Sequence, residues 1–246
     1  PLIKKGAKFF STNRRGAELI KYASNAFLAT KISYINEIAN LCEKVGVNVE
    51  DVSIGIGLDQ RIGPRFLRAG PAYGGSCFPK DTKAIAVTGD LYKTDLSIIK
   101  SVIKSNEKRR VNLTIRVKKI LSNKIKGKKI AFLGVTFKPN TDDMRQSSSL
   151  VMIPYLIKKG AIVNYYDPSG EKREFYKIKN LLFFNNINEA CNNVDLVIIH
   201  TEWEEFKAID FRKLNQGKNF KIFDMRNLYS VEKMKKYRLN YYSIGR

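Results

Sequence analysis

What most limits the folds open to this chain is a helical pattern that runs unbroken from about Ala17 to Lys44. Apolar residues recur at Ile20, Ala23, Phe27, Ile32, Ile35, Ile38, Ala39 and Cys42, close to the spacing of one helix face. Gly46 supplies a stop. Such a helix is about 40 Å long at 1.5 Å per residue, and suits a spine between two domains. A short helix is predicted over Asn48 to Ile56. A second long helical pattern runs from Asp81 to about Ser122, and no Pro interrupts it. Two long amphipathic faces need burial, so a helical bundle that also forms a dimer surface is predicted.

After a polar, basic stretch the period changes. Lys129 to Phe137, Ala161 to Asp167, Leu181 to Phe184, Asp195 to Thr201 and Lys221 to Asp224 read as strands. Residues 147–159 and 202–209 read as helices between them. Strand and helix alternate, which predicts a parallel, Rossmann-like sheet. The fold class is therefore α/β. A helical region over 17–122 carries the first pattern, 123–128 is a linker, and 129–246 is a Rossmann-like domain. The first turn of that sheet has no Gly-rich fingerprint. Gly55 and Gly57 mimic one, but the third Gly is missing and no strand precedes them.

Composition narrows the function. The 246 residues are enough for one large or two modest domains, and 43% hydrophobic residues suit a soluble globular protein. No apolar run reaches about 18 residues, so no membrane span is expected. The chain begins at Pro1 without a signal-peptide pattern, as a fragment or processed chain would. Cys42, Cys77 and Cys191 are widely spaced and form neither a metal nor a disulfide pattern, which favours a reducing cytoplasm. His200 is the single histidine, which excludes a His-rich metal cluster. The net charge of +22 is spread over scattered lysines, with no RNA-binding aromatic signature or zinc finger beside them. It is read as solvated surface charge, not as a specific nucleic-acid site.

The chemistry concentrates in Tyr73-Gly-Gly-Ser-Cys-Phe-Pro-Lys-Asp81. The glycines let backbone approach a ligand, and Pro79 stiffens the turn. Lys80 adds positive charge beside a sulfur that reacts as the anion. Asp81 can orient a proton or a water. Cys77 is the candidate nucleophile.

This string resembles the catalytic-cysteine loop of the UDP-glucose/GDP-mannose dehydrogenase family. Ala17-Glu-Leu-Ile-Lys-Tyr-Ala-Ser-Asn-Ala-Phe-Leu-Ala29 and Leu58-Asp-Gln-Arg-Ile-Gly63 resemble two further motifs in the family's order, and Gly134-Val-Thr-Phe-Lys138 and Asp224-Met-Arg226 extend the likeness over nearly the whole chain. The family's amino-terminal third has no counterpart here, so the resemblance makes 1–16 the exit from a missing NAD-binding domain. It implies two NAD-dependent oxidations of UDP-glucose at C6, giving UDP-glucuronate. Cys77 would hold the carbon as a thiohemiacetal and then a thioester, Lys21 and Asn25 would steady the oxyanion, and Asp81 would help water to hydrolyse the thioester. Lys21, Asn25, Arg61, Arg68, Tyr73, Gly74, Phe137, Lys138 and Arg226 would contact the sugar nucleotide, with Arg61 reaching across a homodimer. Lys138 and Arg226 would meet its diphosphate or uridine. Cys77, Lys80 and Arg145 would face NAD, held mainly by the absent domain, and the chain alone should turn over slowly or not at all. Two alternatives stay open: a relative that oxidises GDP-mannose or UDP-N-acetyl sugars, and a non-catalytic, basic dimerising module that binds polyanions.

Overall fold

The computed structural model describes residues 6, 8–214 and 220–246. Part of the expected 1–16 remnant, residues 1–5 and 7, lies outside the described residues. The first helix, α1, spans Arg14–Val45. It starts earlier than expected because the Asn13 side chain accepts the Gly16 N–H at 2.8 Å and caps it. Gly46, in the left-handed region at φ 72°, ends it. α2 (Val49–Gly57) follows, capped by Asn48.

The expected single run from Asp81 is two helices, α3 (Cys77–Leu91) and α4 (Ser97–Ile120). Lys93 takes φ 54° and Thr94 N–H bonds the Gly89 carbonyl at 2.8 Å. The reversal lays Leu96 on Gly89, where an added Cβ would stand 2.8 Å from the Leu96 side chain. α3 also begins four residues before Asp81. Pro79 lies in its first turn, where no intrahelical N–H is needed. Cys77 is thus the first residue of a helix and not a loop residue.

Six parallel strands form one sheet: β1 (Lys129–Leu133), β2 (Ile162–Tyr166), β3 (Leu181–Phe183), β4 (Leu196–Ile199), β5 (Lys221–Asp224) and β6 (Asn240–Ser243). Their order is β3-β2-β1-β4-β5-β6, the doubly wound order with its switch between β1 and β4. The connections carry α5 (Ser149–Lys158), α6 (Ile187–Ala190), α7 (Phe211–Leu214) and α8 (Val231–Lys236). β1 stops four residues short of its expected end because Gly134, at φ 75°, turns the chain against Thr201. The helix expected over 202–209 is a 3-10 turn, Glu204–Ala208. β6, α6, α7 and α8 were not anticipated.

One apolar core joins the two parts. Ile35 and Ala39 of α1 and Leu113 and Val117 of α4 belong to the same cluster as Met152 of α5 and Ile130, Phe132, Ile198 and Phe223 on one sheet face. Ala131, Leu133, Val197 and Ile199 alternate to the other face and meet Phe206 and Phe211. Ile125 of the expected linker is buried in the first cluster, so the segment is anchored. No described helix is long and apolar enough to cross a membrane.

Candidate active site

Cys77 is exposed at the start of α3, with Ser76 Oγ 3.7 Å from its sulfur. One turn on, Asp81 shares its helix face and is completely buried. Across the helix pair, α1 presents Lys21 and Asn25, also one turn apart. Asn25 Nδ2 donates to Asp81 Oδ2 at 2.6 Å, and Lys21 Nζ lies 3.4 Å from the same oxygen. Lys80 Nζ stands 3.3 Å from Oδ1, which accepts no aligned hydrogen bond. Burial would raise the Asp81 pKa, but the hydrogen bond from Asn25 and the nearby charges of Lys80 and Lys21 outweigh it and hold the carboxyl below the usual aspartate range. Lys21, Asn25 and Asp81, expected from two separate motifs, meet across the two helices, with Cys77 one turn before Asp81 on α3.

The stretch before Cys77 is clamped from both sides. Asn36 Oδ1 accepts the Gly70 N–H at 2.9 Å, and buried Arg109 donates twice to the Gly70 carbonyl, at 3.1 and 3.0 Å. Asn106 pairs with both backbone groups of Tyr73, at 2.9 and 3.1 Å, and Arg110 Nη2 adds a bond to the Tyr73 carbonyl at 3.2 Å. Burial pulls the Arg109 pKa down to about 10. These four latches escaped the sequence reading. Their signal is polar side chains set inside the apolar stripes of α1 and α4.

From the sheet side comes the loop after β1. Gly75 sits at φ 78°, and its N–H bonds the Arg145 carbonyl at 2.7 Å. A Cβ there would stand 2.7 Å from the Phe137 ring, and one on Gly74 2.6 Å from the Gln146 carbonyl. Backbone and ring touch because both residues lack a side chain. Phe137 thereby borders the cysteine loop, and Lys138 lies over its ring at 5.5 Å. Arg145 is exposed and pairs with Asp143 at 2.8 Å.

Arg226 follows β5. Its Nε donates to the His200 carbonyl at 2.8 Å and Nη2 to the Phe137 carbonyl at 3.1 Å. Arg68 Nη2 reaches the Arg226 carbonyl at 2.8 Å. Gly70 faces this guanidinium, since its Cβ would lie 3.5 Å from Nη1. Buried Asp224 holds the turn by accepting the N–H groups of Arg226 and Leu228 and the Tyr241 hydroxyl, at 2.9, 2.7 and 2.8 Å.

Two expected contacts sit apart from the cleft. The Tyr73 ring is buried edge-on against Phe78, so it packs the loop from below. Arg61 is exposed and pairs with Asp59 at 2.6 Å, with no contact to the Cys77 cluster among those described. Among the described residues, no group of three or more His, Cys, Asp or Glu could hold a metal ion.

A dinucleotide does not fit the first turn of this sheet. The N–H groups of Val135 and Thr136, which would cradle a pyrophosphate in such a turn, are taken by the Asp167 carboxylate at 2.8 and 3.3 Å. Asp167 is itself backed by buried Lys172 at 3.5 Å. At Cys77 the exposed cations Lys80 and Arg145 do fit the edge of an anionic cofactor presented from outside.

Two family descriptions match the chain: the UDP-glucose/GDP-mannose dehydrogenase family central domain over residues 15–108, and that family's UDP binding domain over 131–231. A UDP-glucose 6-dehydrogenase of Rickettsia prowazekii is 48% identical over 248 aligned residues, covering all of this chain and 57% of that protein. Among solved structures, a UDP-glucose dehydrogenase from Pyrobaculum islandicum superposes with a TM-score of 0.82 at 32% identity, over 94% of this chain and 51% of the other. An NDP-N-acetyl-D-galactosaminuronic acid dehydrogenase from Methanosarcina mazei gives 0.81 at 27%, over 94% and 51%. The chain therefore spans a little over half the length of these relatives.

Proposed function

We propose, from the premise that this chain belongs to the UDP-glucose/GDP-mannose dehydrogenase family, that it supplies the thiol chemistry and the nucleotide-sugar site of an oxidoreductase converting UDP-glucose to UDP-glucuronate. Residues 17–122 are read as its catalytic and dimer-forming domain, and 129–246, beyond the linker, as its UDP-binding domain. The observation that carries the reading is an exposed Cys77 at a helix start, one turn from a buried carboxylate that Asn25, Lys21 and Lys80 keep ionised.

NAD, when bound, would accept the hydride of each oxidation. The chain's own residues do the rest. The Cys77 sulfur bonds the aldehyde carbon at C6 and retains it between oxidations. Lys21 Nζ and the second N–H of the Asn25 amide face the oxygen that gains charge. Once the carbon is a thioester, Asp81 Oδ1, which lacks an aligned donor, takes the proton of the attacking water. Lys80 and Arg145 meet the cofactor's edge. Arg226, Arg68 and Lys138 meet the diphosphate and uridine, with Phe137 and Gly74 shaping the cleft between.

A homodimer completes the reading. Ile20, Phe27, Tyr34 and Leu41 recur every seven residues along α1, and each is half exposed or more. That stripe matches the seam of paired helices, and a second copy would cover it. A second substrate reading, a nucleoside-diphosphate N-acetyl sugar, has the NDP-N-acetyl-D-galactosaminuronic acid dehydrogenase of Methanosarcina mazei behind it.

Calorimetric titration with UDP-glucose, at two salt concentrations, tests the proposal. Saturable binding is expected, weakened about 10- to 100-fold by Arg226→Ala through loss of a charge-assisted contact. No saturable binding, or equal binding by the variant, sinks it. The same titration with UDP-N-acetylglucosamine separates the two substrates.

A further inference from the structure

The carboxylate of Glu202, just past β4, has no part in the site described so far. Its Oε2 lies 2.7 Å from Arg226 Nε. That oxygen is buried, yet no aligned hydrogen bond reaches it. The Nε–H points elsewhere, to the His200 carbonyl at 2.8 Å, and Nη2 is directed by the Phe137 carbonyl at 3.1 Å. Two main-chain carbonyls therefore fix the direction of the guanidinium. Nη1, on the Gly70 side, takes no partner among the described contacts. Glu202 adds charge without adding a directional bond.

A geometry of this kind is unusual for a stabilising ion pair. A buried acceptor without a donor is costly, and an arginine already held by two carbonyls needs no carboxylate to aim it. Burial pulls the Arg226 pKa down, while the Glu202 charge pushes it up against that of neighbouring Arg68. Arg68 lies against the Arg226 main chain, at 2.8 Å. Asp224, which accepts the Arg226 N–H at 2.9 Å, adds a weaker negative charge from the main-chain side, so the corner holds two guanidinium groups and two carboxylates, of which Glu202 acts more strongly on Arg226.

We infer that Glu202 is an electrostatic brake on diphosphate binding: it cancels part of the Arg226 charge without turning the guanidinium away, and so limits how tightly the nucleotide is held. This rests on the reading of Arg226 as a diphosphate contact. A nucleotide product must leave after each cycle, and a pair of arginines offset only by the more distant effect of Asp224 would hold a diphosphate more tightly. A single buried negative charge one contact from the binding group weakens an anion by about tenfold at the effective dielectric of such sites.

The test is the dissociation constant of UDP for the whole chain, measured by calorimetry at two salt concentrations. Glu202→Gln keeps the shape and removes the charge, so UDP should bind about tenfold tighter, with the larger gain at low salt. Glu202→Asp, which withdraws the carboxylate by one methylene, should fall between wild type and Gln, and it serves as the second variant should Gln impair folding. Thermal unfolding of each variant confirms the folded state first. Binding that is unchanged or weaker in both folded variants overturns the inference while leaving the diphosphate site standing. No saturable binding of UDP by the wild type overturns the site, and the brake with it.

Discussion

At the residue scale the three cysteines behave differently. Cys77 is exposed, and Cys42 and Cys191 are buried, with burial pushing the Cys191 thiol up to about 12. Brief treatment of the folded chain with iodoacetamide should therefore add one carbamidomethyl group, located at Cys77 by peptide mass. UDP-glucose should slow it. Labelling of Cys42 or Cys191 at a similar rate would contradict the burial described. Asp81 makes a prediction about acid. Its folded pKa is lowered below 3.8, so the folded state binds a proton less readily than the unfolded chain. The stabilisation is complete above the unfolded value and is lost as pH falls through the folded one. Asp81→Asn should flatten the drop in urea midpoint between about pH 5 and pH 3. A drop as steep as the wild type's would place the acid sensitivity elsewhere. The residue types of the cluster were legible through the resemblance, which put Lys21 and Asn25 on the expected spine helix and Cys77 and Asp81 in an expected loop; that the second pair also shares a helix face was not legible. Arg109 was not, since a cation inside an apolar stripe marks a buried polar group but not the Gly70 carbonyl it binds.

At the element scale, the length and end of α1 followed from its period and from Gly46, and the strand–helix alternation was enough to anticipate a parallel sheet. The break between α3 and α4 was hidden because Lys93, not Gly or Pro, takes the left-handed conformation. The start of α3 was hidden because Pro79 was read as a turn former, although a first helical turn accepts Pro without loss. β6 was missed because Asn240-Tyr-Tyr-Ser243 is short, and its sheet position is set by pairing with β5. The close contact of Gly75 with Phe137 gives the prediction for this scale. Gly75→Ala must both hold φ 78° and displace the ring, and it should cost more than about 1 kcal/mol in chemical denaturation. It should also depress the iodoacetamide rate at Cys77, because the loop would shift. A variant with wild-type stability would show that the ring yields freely.

At the scale of the whole molecule, the single histidine reports on the joint between core and cleft. Burial, and then the nearby charge of Arg226, pull the His200 pKa down to about 3 from 6.5. The folded protein leaves it neutral, with Nε2 2.7 Å from Ser148 Oγ. The unfolded chain takes up a proton below its own pKa, so stability is full above 6.5 and falls as the pH drops towards 3. The slope is at most about 1.4 kcal/mol per pH unit. Between pH 6.5 and 5, before most carboxylates titrate, His200→Gln should abolish that slope in denaturation curves; an unchanged slope would assign it to other groups. The dimer prediction also belongs here: Phe27→Glu with Tyr34→Glu should shift a dimer to monomer in light scattering, and a wild-type monomer would remove the need for a partner on that stripe. The Gly74–Gly75 contact reaches beyond this chain, to how its family can be recombined. A hybrid made by crossing over in the basic segment 123–128 would inherit its thiol helix from one parent and its nucleotide sheet from the other. In such a hybrid, the glycine pair of one parent would have to fit whatever side chain the other sets at the place of Phe137, where this chain leaves no room for a Cβ. The fit between the two halves is thus decided at one close contact and not across their whole shared core.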